Sequence, residues 1–165
     1  MSIKMNPTKE FLNLRKSVLE YTNVQMNLSL DNDNQVYIAL FDIPNQNLVE
    51  GMSNQTYALI FGLNTHIYFE NGNYIIDLEK NKDVMQAMQS LLISSSQILK
   101  KMELTTNLEY YESNNIRLYL KTKKGIYFRE IDNSCKEDKF IMMLFNNLRH
   151  NILKAYDENK KNVSI

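Results

Sequence analysis

Three segments of the sequence carry apolar residues at helical spacing, and two of them follow a capping residue. Residues 7–22 follow Asn6, which can cap a helix, and begin with Pro7, which is tolerated at the first helical position. Residues 82–102 follow Asn81, a second capping residue. The apolar stripes of these two predicted helices are Phe11, Leu14, Val18 and Tyr21, and Val84, Met88, Leu91, Leu92, Ile98, Leu99 and Met102.

The third predicted helix begins at Ser134-Cys-Lys-Glu137, where a serine and a glutamate three residues apart have the pattern of a capping box. Its apolar stripe is Ile141, Leu144, Phe145, Leu148, Ile152 and Tyr156. The polar residues that follow, 157–165, are predicted to form a disordered C-terminal tail.

Short runs of strand-forming residues between and after the first two helices predict a sheet. The sequence VQMNLSL alternates strictly between apolar and polar residues, as in a half-buried strand. The next two runs are apolar on both faces, which is typical of interior strands. The predicted strands cover residues 24–30, 35–43, 56–63, 66–70 and 73–77 before the second helix, and residues 106–112, 115–122 and 125–131 after it.

The dipeptide Asn71-Gly72 predicts a two-residue type I′ hairpin turn, because both of its residues tolerate a positive φ. This register places His66 opposite Asp77, on the face away from Phe69 and Tyr74. An imidazole oriented by a carboxylate can act as a general base. A solvated cross-strand pair is the simpler interpretation, and the sequence favours it because no nucleophile accompanies the pair.

The predicted order is α-βββββ-α-βββ-α, with residues 1–156 forming one domain. Strands joined by short hairpins indicate a mainly antiparallel sheet, and the three helices are expected to pack on one of its faces. The sequence therefore predicts the α+β class. Helix, sheet, helix, sheet, helix in a small chain resembles the element order of type III secretion chaperones, which dimerise and bind unfolded segments of their cargo. The resemblance covers element order only and implies no site residues.

Charge and composition narrow the function classes. Nineteen basic residues balance nineteen acidic ones, so no long-range field attracts nucleic acid or an anionic membrane surface. The first residues lack the apolar core of a signal peptide, and no apolar run has the ~18 residues needed to span a bilayer. Cys135 is the only cysteine, which fits a reducing compartment. The sequence therefore predicts a soluble cytoplasmic protein.

Cys135 and the turn that begins at Asp31 are the remaining candidates for chemistry. A thiol in the first turn of a helix can be reactive, but His150 is fifteen residues further along the same helix and cannot activate it. The turn lacks the glycine that a calcium loop requires, because Val36 stands at its sixth position. We therefore predict no catalytic residue, no metal site and no cofactor.

The outward side of the second predicted helix is uncharged, although solvated helix faces usually carry Glu and Lys. Ile93 lies at its centre, and the third helix places two methionines off its main stripe. Such a surface indicates cover by another part of the chain or by a partner, or a compositional bias that replaces charged residues with Asn, Gln and Ser. The predicted partner-binding residues are Gln86, Gln89, Ser90, Ile93, Gln97, Met142 and Met143.

Two functions follow as hypotheses. The first is a non-catalytic protein-binding module of the chaperone, adaptor or immunity-protein kind, expected to act as a homodimer with a protein partner. The alternative is a small-molecule-binding or enzymatic domain with a pocket between sheet and helix. The tyrosines expected to line that pocket are Tyr37, Tyr57, Tyr68, Tyr110 and Tyr119.

Overall fold

The computed structural model of the protein describes residues 7–44 and 54–163, with side chains described through residue 158. The helices are α1 (Lys9–Glu20), α2 (Lys82–Ser95) and α3 (Lys136–Val163), with 3₁₀ segments at Leu78–Lys80 and Ser96–Lys101. The strands are β1 (Ile38–Ile43), β2 (Gln55–Ile60), β3 (Asn64–Phe69), β4 (Tyr74–Ile75), β5 (Glu103–Thr105), β6 (Ile116–Thr122) and β7 (Gly125–Ile131).

The seven strands form one antiparallel sheet in the order β4-β3-β2-β1-β6-β7-β5. The predicted α+β class, with three helices and a mainly antiparallel sheet, is confirmed. β1 lies at the centre between β2 and β6, and all six of its residues are buried. β1 carries apolar residues on both of its faces. A strand can bury every side chain only when both faces are covered, which explains the interior position of β1.

The helices cover both faces of the sheet. Core residues of α2 and α3 pack with Phe41 and Leu118 on one face. Phe11 of α1 packs with Leu40 and Tyr119 on the other. This placement differs from the expectation that all three helices share one face. Neighbouring residues of β1 point in opposite directions, so apolar side chains on both sides of it require cover on both sides.

The predicted strand at residues 24–30 is absent, and this prediction is wrong. Residues 23–27 form a turn in which Val24 is 81% exposed and Asn27 has a φ of 56°. The inward residues Met26 and Leu28 still pack against the α1 side of the sheet. Alternation therefore identified Met26 and Leu28 as inward residues but was wrong for Val24, and no strand of the described chain pairs with this segment.

The segment 106–115 also has no strand, contrary to the prediction for residues 106–112. The preceding residues, Glu103–Thr105, form β5 and pair with β7 instead. We call residues 106–115 the strap, because its residues Leu108 and Tyr110 pack against the apolar cluster on the α1 side of the sheet. Across the sheet, Arg117 lies opposite Glu130 of β7.

The β3–β4 hairpin has a register one residue away from the predicted one. Tyr68 pairs with Tyr74, and the Phe69 N–H donates to the Asn73 carbonyl at 2.8 Å, so three residues form the loop. Gly72 takes a φ of 95°, and an added Cβ would lie 3.2 Å from Thr8 Oγ1. The loop therefore requires glycine both for its backbone conformation and for its contact with the start of α1.

The helix ends differ from the predicted ones for local reasons. Thr8 caps α1 by accepting from the Phe11 N–H at 3.2 Å, so the helix begins two residues later than predicted. The predicted Asn81 cap of α2 is present, since its side chain accepts from the N–H groups of Asp83 and Val84. α2 ends at Ser95, whose hydroxyl donates to the Leu92 carbonyl at 2.8 Å and competes with the helical hydrogen bonds.

The third helix begins at Lys136, so Cys135 and not Ser134 stands directly before it. The carboxylate of Asp138 in its first turn accepts from the Asp132 N–H at 3.2 Å. α3 extends to Val163 and so includes residues 157–163, most of the segment predicted as a disordered tail. The predicted stripe is buried at Ile141, Phe145, Leu148 and Ile152, whereas Leu144 is half-buried and Tyr156 is exposed.

Candidate functional site

The outer face of α2, which we define as Gln86, Gln89, Ser90 and Ile93 together with Gln97 of the following 3₁₀ segment, lies opposite the buried stripe of the helix. Gln89 is half-buried and the other four are exposed. Ile93 is 67% exposed, so the protein's own chain leaves most of this side chain uncovered. Four polar side chains without charge surround one exposed isoleucine.

The outer side of α3 adds apolar area beside α2. Met143 is 59% exposed and Leu153 is 61% exposed, whereas Met142 is half-buried and packs against the core. Of the two predicted methionines, Met143 is therefore the one with an accessible side chain. The two helices pack against each other on the same face of the sheet.

Both edges of the sheet are poorly suited to binding a partner strand. β4 has two residues and β5 has three, which leaves little backbone for pairing. On β3, the Thr65 N–H donates to the Glu79 carboxylate at 3.2 Å and is thereby satisfied. The helical layer is consequently the better candidate for an interaction surface.

The structure does not form the His66–Asp77 pair that the predicted register implied. His66 lies opposite Ala58 of β2, and its Nδ1 is 3.0 Å from the hydroxyl of Tyr68. Burial lowers the pKa of His66, although the carboxylates of Glu79 and Asp77 oppose this shift. Burial therefore favours the neutral ring, and Asp77 does not lie opposite His66 in the sheet.

Cys135 is half-buried next to the guanidinium of Arg129, whose Nη2 is 3.4 Å from its Sγ. Arg129 is already bound to the carboxylate of Asp138, with Nε 2.6 Å from Oδ1. His150 lies on the exposed side of α3. No contact among the described residues joins Cys135 to a histidine.

A row of polar residues crosses the α1 side of the sheet, and the sequence analysis missed it. Glu130, Arg117, Asp42, Thr56 and Tyr68 lie opposite one another on β7, β6, β1, β2 and β3. We call these five residues the ionic row. Arg117, Asp42, Thr56 and Tyr68 are all buried, so charged and hydroxyl groups occupy the middle of the protein.

Arg15 of α1 binds Asp42 of the ionic row from the α1 side of the sheet. Its Nη2 lies 2.7 Å from Oδ2, and its Nε lies 3.1 Å from both carboxylate oxygens. The Thr56 hydroxyl donates to Oδ1 at 2.6 Å. This ion pair is enclosed by protein and satisfied by several hydrogen bonds, which is the condition under which buried charges are tolerated.

Two arginines hold the strap by its main chain. Arg15 Nη1 donates to the Leu108 carbonyl at 2.5 Å, and Arg117 Nη1 donates to the Tyr111 carbonyl. The guanidinium of Arg117 also lies over the rings of Tyr110 and Tyr111, 5.5 Å and 5.4 Å from their centroids. The strap is therefore bound by Arg15 of α1 and by Arg117 of the ionic row, without strand pairing.

Four of the five predicted pocket tyrosines are on the α1 side of the sheet, namely Tyr37, Tyr68, Tyr110 and Tyr119. Tyr57 is on the other side, where its ring is 5.2 Å from that of Phe145. Burial raises the pKa of Tyr68 and of Tyr110 to about 12. These phenols are accordingly protonated donors at neutral pH.

The basic and aromatic residues near the β6–β7 hairpin have internal roles. Lys121 donates to the carbonyls of Leu19 and Tyr21 at the end of α1, at 2.8 Å and 2.7 Å. Arg129 binds Asp138 as described above. Two of the cations near the hairpin, Lys121 and Arg129, are therefore engaged in contacts within the chain, whereas Lys123 and Lys124 in its turn are exposed.

Within the described ranges, no group of His, Cys, Asp and Glu side chains is arranged to hold a metal ion. None of the helices there has the length and apolar character required to cross a bilayer. Comparison with known proteins found no match to this chain among family models, curated proteins or solved structures.

Proposed function

We propose that the protein is a non-catalytic protein-binding module that forms a homodimer through the outer face of α2. The observation that supports this proposal is the 67% exposure of Ile93 at the centre of an uncharged helix surface. A single exposed isoleucine is common on protein surfaces. An isoleucine within a helix face that lacks Glu and Lys fits a surface that is buried in a complex.

A second copy of the chain fits this surface chemically. Glutamine amides and serine hydroxyls both donate and accept hydrogen bonds, so Gln86, Ser90 and Gln97 can pair with the same residues of a symmetry mate. A two-fold interface requires this self-complementarity, because each residue meets the same patch on its partner. The five residues of this face carry no charge, and the exposed Lys82 and Lys100 lie at its two ends.

The apolar side chains of α3 extend the proposed interface. Met143 and Leu153 are more than half exposed on the helix that packs beside α2. A methionine adapts its shape to different neighbours at little energetic cost. This part of the surface is therefore suited to a further protein partner, as expected for a module of the chaperone, adaptor or immunity-protein kind.

Sedimentation velocity at micromolar concentration tests the proposal. We expect a dimer for the unmodified protein and a shift to monomer for Ile93→Glu, because the substitution places two buried carboxylates at the dimer axis. Val24→Glu is the matched control, since Val24 is an exposed apolar residue in the turn after α1. A monomer in the unmodified protein, or equal effects of both variants, would contradict the proposal.

A further inference from the structure

A group of exposed lysines lies where the 3₁₀ segment Ser96–Lys101 meets the start of α3. Lys101 is the last residue of that segment, and Lys136 and Lys139 lie in the first turn of α3. All three residues are exposed. We call these three residues the lysine patch.

Two contacts hold the 3₁₀ segment against the start of α3. Lys100 Nζ lies 3.6 Å from the Glu137 carboxylate. The Arg129 guanidinium contacts both elements, because its Nη1 donates to the Lys101 carbonyl at 3.3 Å and its Nη2 lies 3.4 Å from Cys135 Sγ. The lysine patch is therefore one surface, although β5, β6 and β7 separate its members in the chain.

The acidic side chains of this region form ion pairs with other cations. Arg129 Nε lies 2.6 Å from Asp138, and the same guanidinium lies 3.8 Å from Asp132. Glu137 is bound by Lys100. None of the ion pairs among the described residues includes a member of the lysine patch. The patch is therefore available to the carboxylates of another molecule.

Exposed apolar residues border the lysine patch. Leu104 of β5 and Met143 of α3 are both more than half exposed. Leu104 lies opposite Tyr127, which packs on the α2 and α3 side of the sheet, whereas Glu103 points to the α1 side. Met143 lies one helical turn after Lys139, on the same side of α3. Positive and apolar side chains therefore share this surface.

We propose that the lysine patch, together with Met143 and Leu104, binds an acidic segment of a protein partner that also carries apolar residues. This inference rests on the proposed function, since it gives the chemistry of the further partner to which α3 is suited. Carboxylates of the segment supply the charge opposite to the three lysines, which steers association and fixes orientation. Its apolar residues cover the two exposed apolar side chains, as in the centre of other interfaces.

Nucleic acid and an anionic membrane fit this surface less well. Single-stranded nucleic acid is held by bases that stack on aromatic side chains. Among the described residues, the exposed aromatic side chains are Tyr74 on β4, Tyr111 on the strap and Tyr156 in the second half of α3. A helix that binds a membrane surface turns a continuous apolar face to the lipid, whereas the apolar stripe of α3 is buried in the core. These observations favour a protein segment.

Fluorescence anisotropy of labelled synthetic peptides tests this site on the full chain at low ionic strength. The probe is a peptide that alternates pairs of Glu with pairs of Leu, and a second peptide carries Gln in place of every Glu. We expect saturable binding of the acidic peptide and at least tenfold weaker binding of the neutral one. Combined replacement of Lys101, Lys136 and Lys139 by Gln should weaken binding of the acidic peptide about tenfold, because three exposed ion pairs are lost together.

Combined replacement of Lys9, Lys123 and Lys124 by Gln is the matched control, because it removes three exposed lysines elsewhere and changes the net charge equally. This control should leave binding unchanged. Equal weakening by the two triple variants, or equal binding of the neutral peptide, would overturn the proposal.

The same variants are compared with phosphatidylserine vesicles and with oligothymidine. Tighter binding of either one than of the acidic peptide, lost when the lysine patch is replaced, would assign the patch to a membrane or to nucleic acid and overturn the proposal. Sedimentation velocity of the unmodified protein decides the dimer separately. A dimer that does not bind the acidic peptide would refute the lysine patch alone, and a monomer that binds it would refute the dimer alone.

Discussion

Replacement of Asp42 by asparagine should strongly destabilise the protein, because it removes the charge that balances Arg15. Asp42 accepts three contacts from Arg15, between 2.7 and 3.1 Å, and one from Thr56 at 2.6 Å. The amide keeps the shape of the carboxylate but leaves the guanidinium buried without a counter-charge. Loss of one partner from a buried pair costs about 3–5 kcal/mol, so we expect the free energy of unfolding to fall by that amount.

Urea denaturation at pH 7, followed by circular dichroism, measures this change in the free energy of unfolding. The double variant Arg15→Met with Asp42→Leu should recover most of the loss, since it removes both charges together. Arg15→Met alone should resemble Asp42→Asn. A loss below about 1 kcal/mol for Asp42→Asn, in the range of an exposed ion pair, would refute the view that this pair is desolvated.

Three further predictions concern groups with an internal role. Lys121→Met should lower the free energy of unfolding by about 1–2 kcal/mol, because Nζ binds two carbonyls at the end of α1, whereas Lys123→Met in the exposed turn should not. Tyr68 and Tyr110 should ionise only near pH 12 in ultraviolet absorbance titrations. Stability should fall as the pH rises from 10 toward 12, because unfolded tyrosine releases its proton first. Burial lowers the pKa of His66, so the proton resonance of its imidazole should titrate below pH 6.5. The free energy of unfolding should decrease as the pH falls through that range, because the imidazole of the unfolded chain binds a proton first.

Local signals in the sequence predicted the elements whose boundaries depend on neighbouring residues. Asn81 caps α2, and its predicted stripe at Val84, Met88, Leu91 and Leu92 is buried. Gly125 at the start of β7 has a positive φ, a conformation that glycine adopts without steric cost. These features require only a few adjacent residues, which is why the sequence contains the necessary information.

The register of the β3–β4 hairpin was harder to predict from the sequence, because it depends on contacts with residues that are distant in the chain. The Asn71-Gly72 turn was located correctly, but the loop also includes Glu70, whose carboxylate accepts from the Asn54 side chain at 2.5 Å. The Thr8 N–H donates to the Glu70 carbonyl at 2.9 Å. These contacts with the start of β2 and of α1 favour a three-residue loop. A shift of one residue then places every side chain of β4 on the other face.

The ionic row had a signal in the sequence that could have revealed it. Asp42 interrupts the otherwise apolar run of β1, and Arg15 lies four residues after Phe11 and three before Val18, on the buried side of α1. Charged residues within apolar patterns are seldom buried without a partner of opposite charge. The two anomalies together predict a buried pair. The position of the strap over Arg117 required the structure, because the sequence predicted a strand over residues 106–112, where none forms.

The outer face of α2 is the feature on which the proposed function depends. Its lack of charge is visible in the sequence, but the sequence alone left open whether another part of the chain covers it. The 67% exposure of Ile93 favours cover by another molecule. The choice of a second copy rests on the self-complementary glutamines and serines around that isoleucine.

Oxidative cross-linking of Ile93→Cys in a Cys135→Ser background tests the proposed dimer most directly. Helices that pack face to face have axes about 8–10 Å apart, which allows two central cysteines to reach each other. We predict a disulfide-linked dimer at micromolar concentration, and none for Val24→Cys in the same background. A protein that stays monomeric under oxidation, while the thiol introduced by Ile93→Cys reacts fully with an alkylating reagent, would contradict the proposed interface.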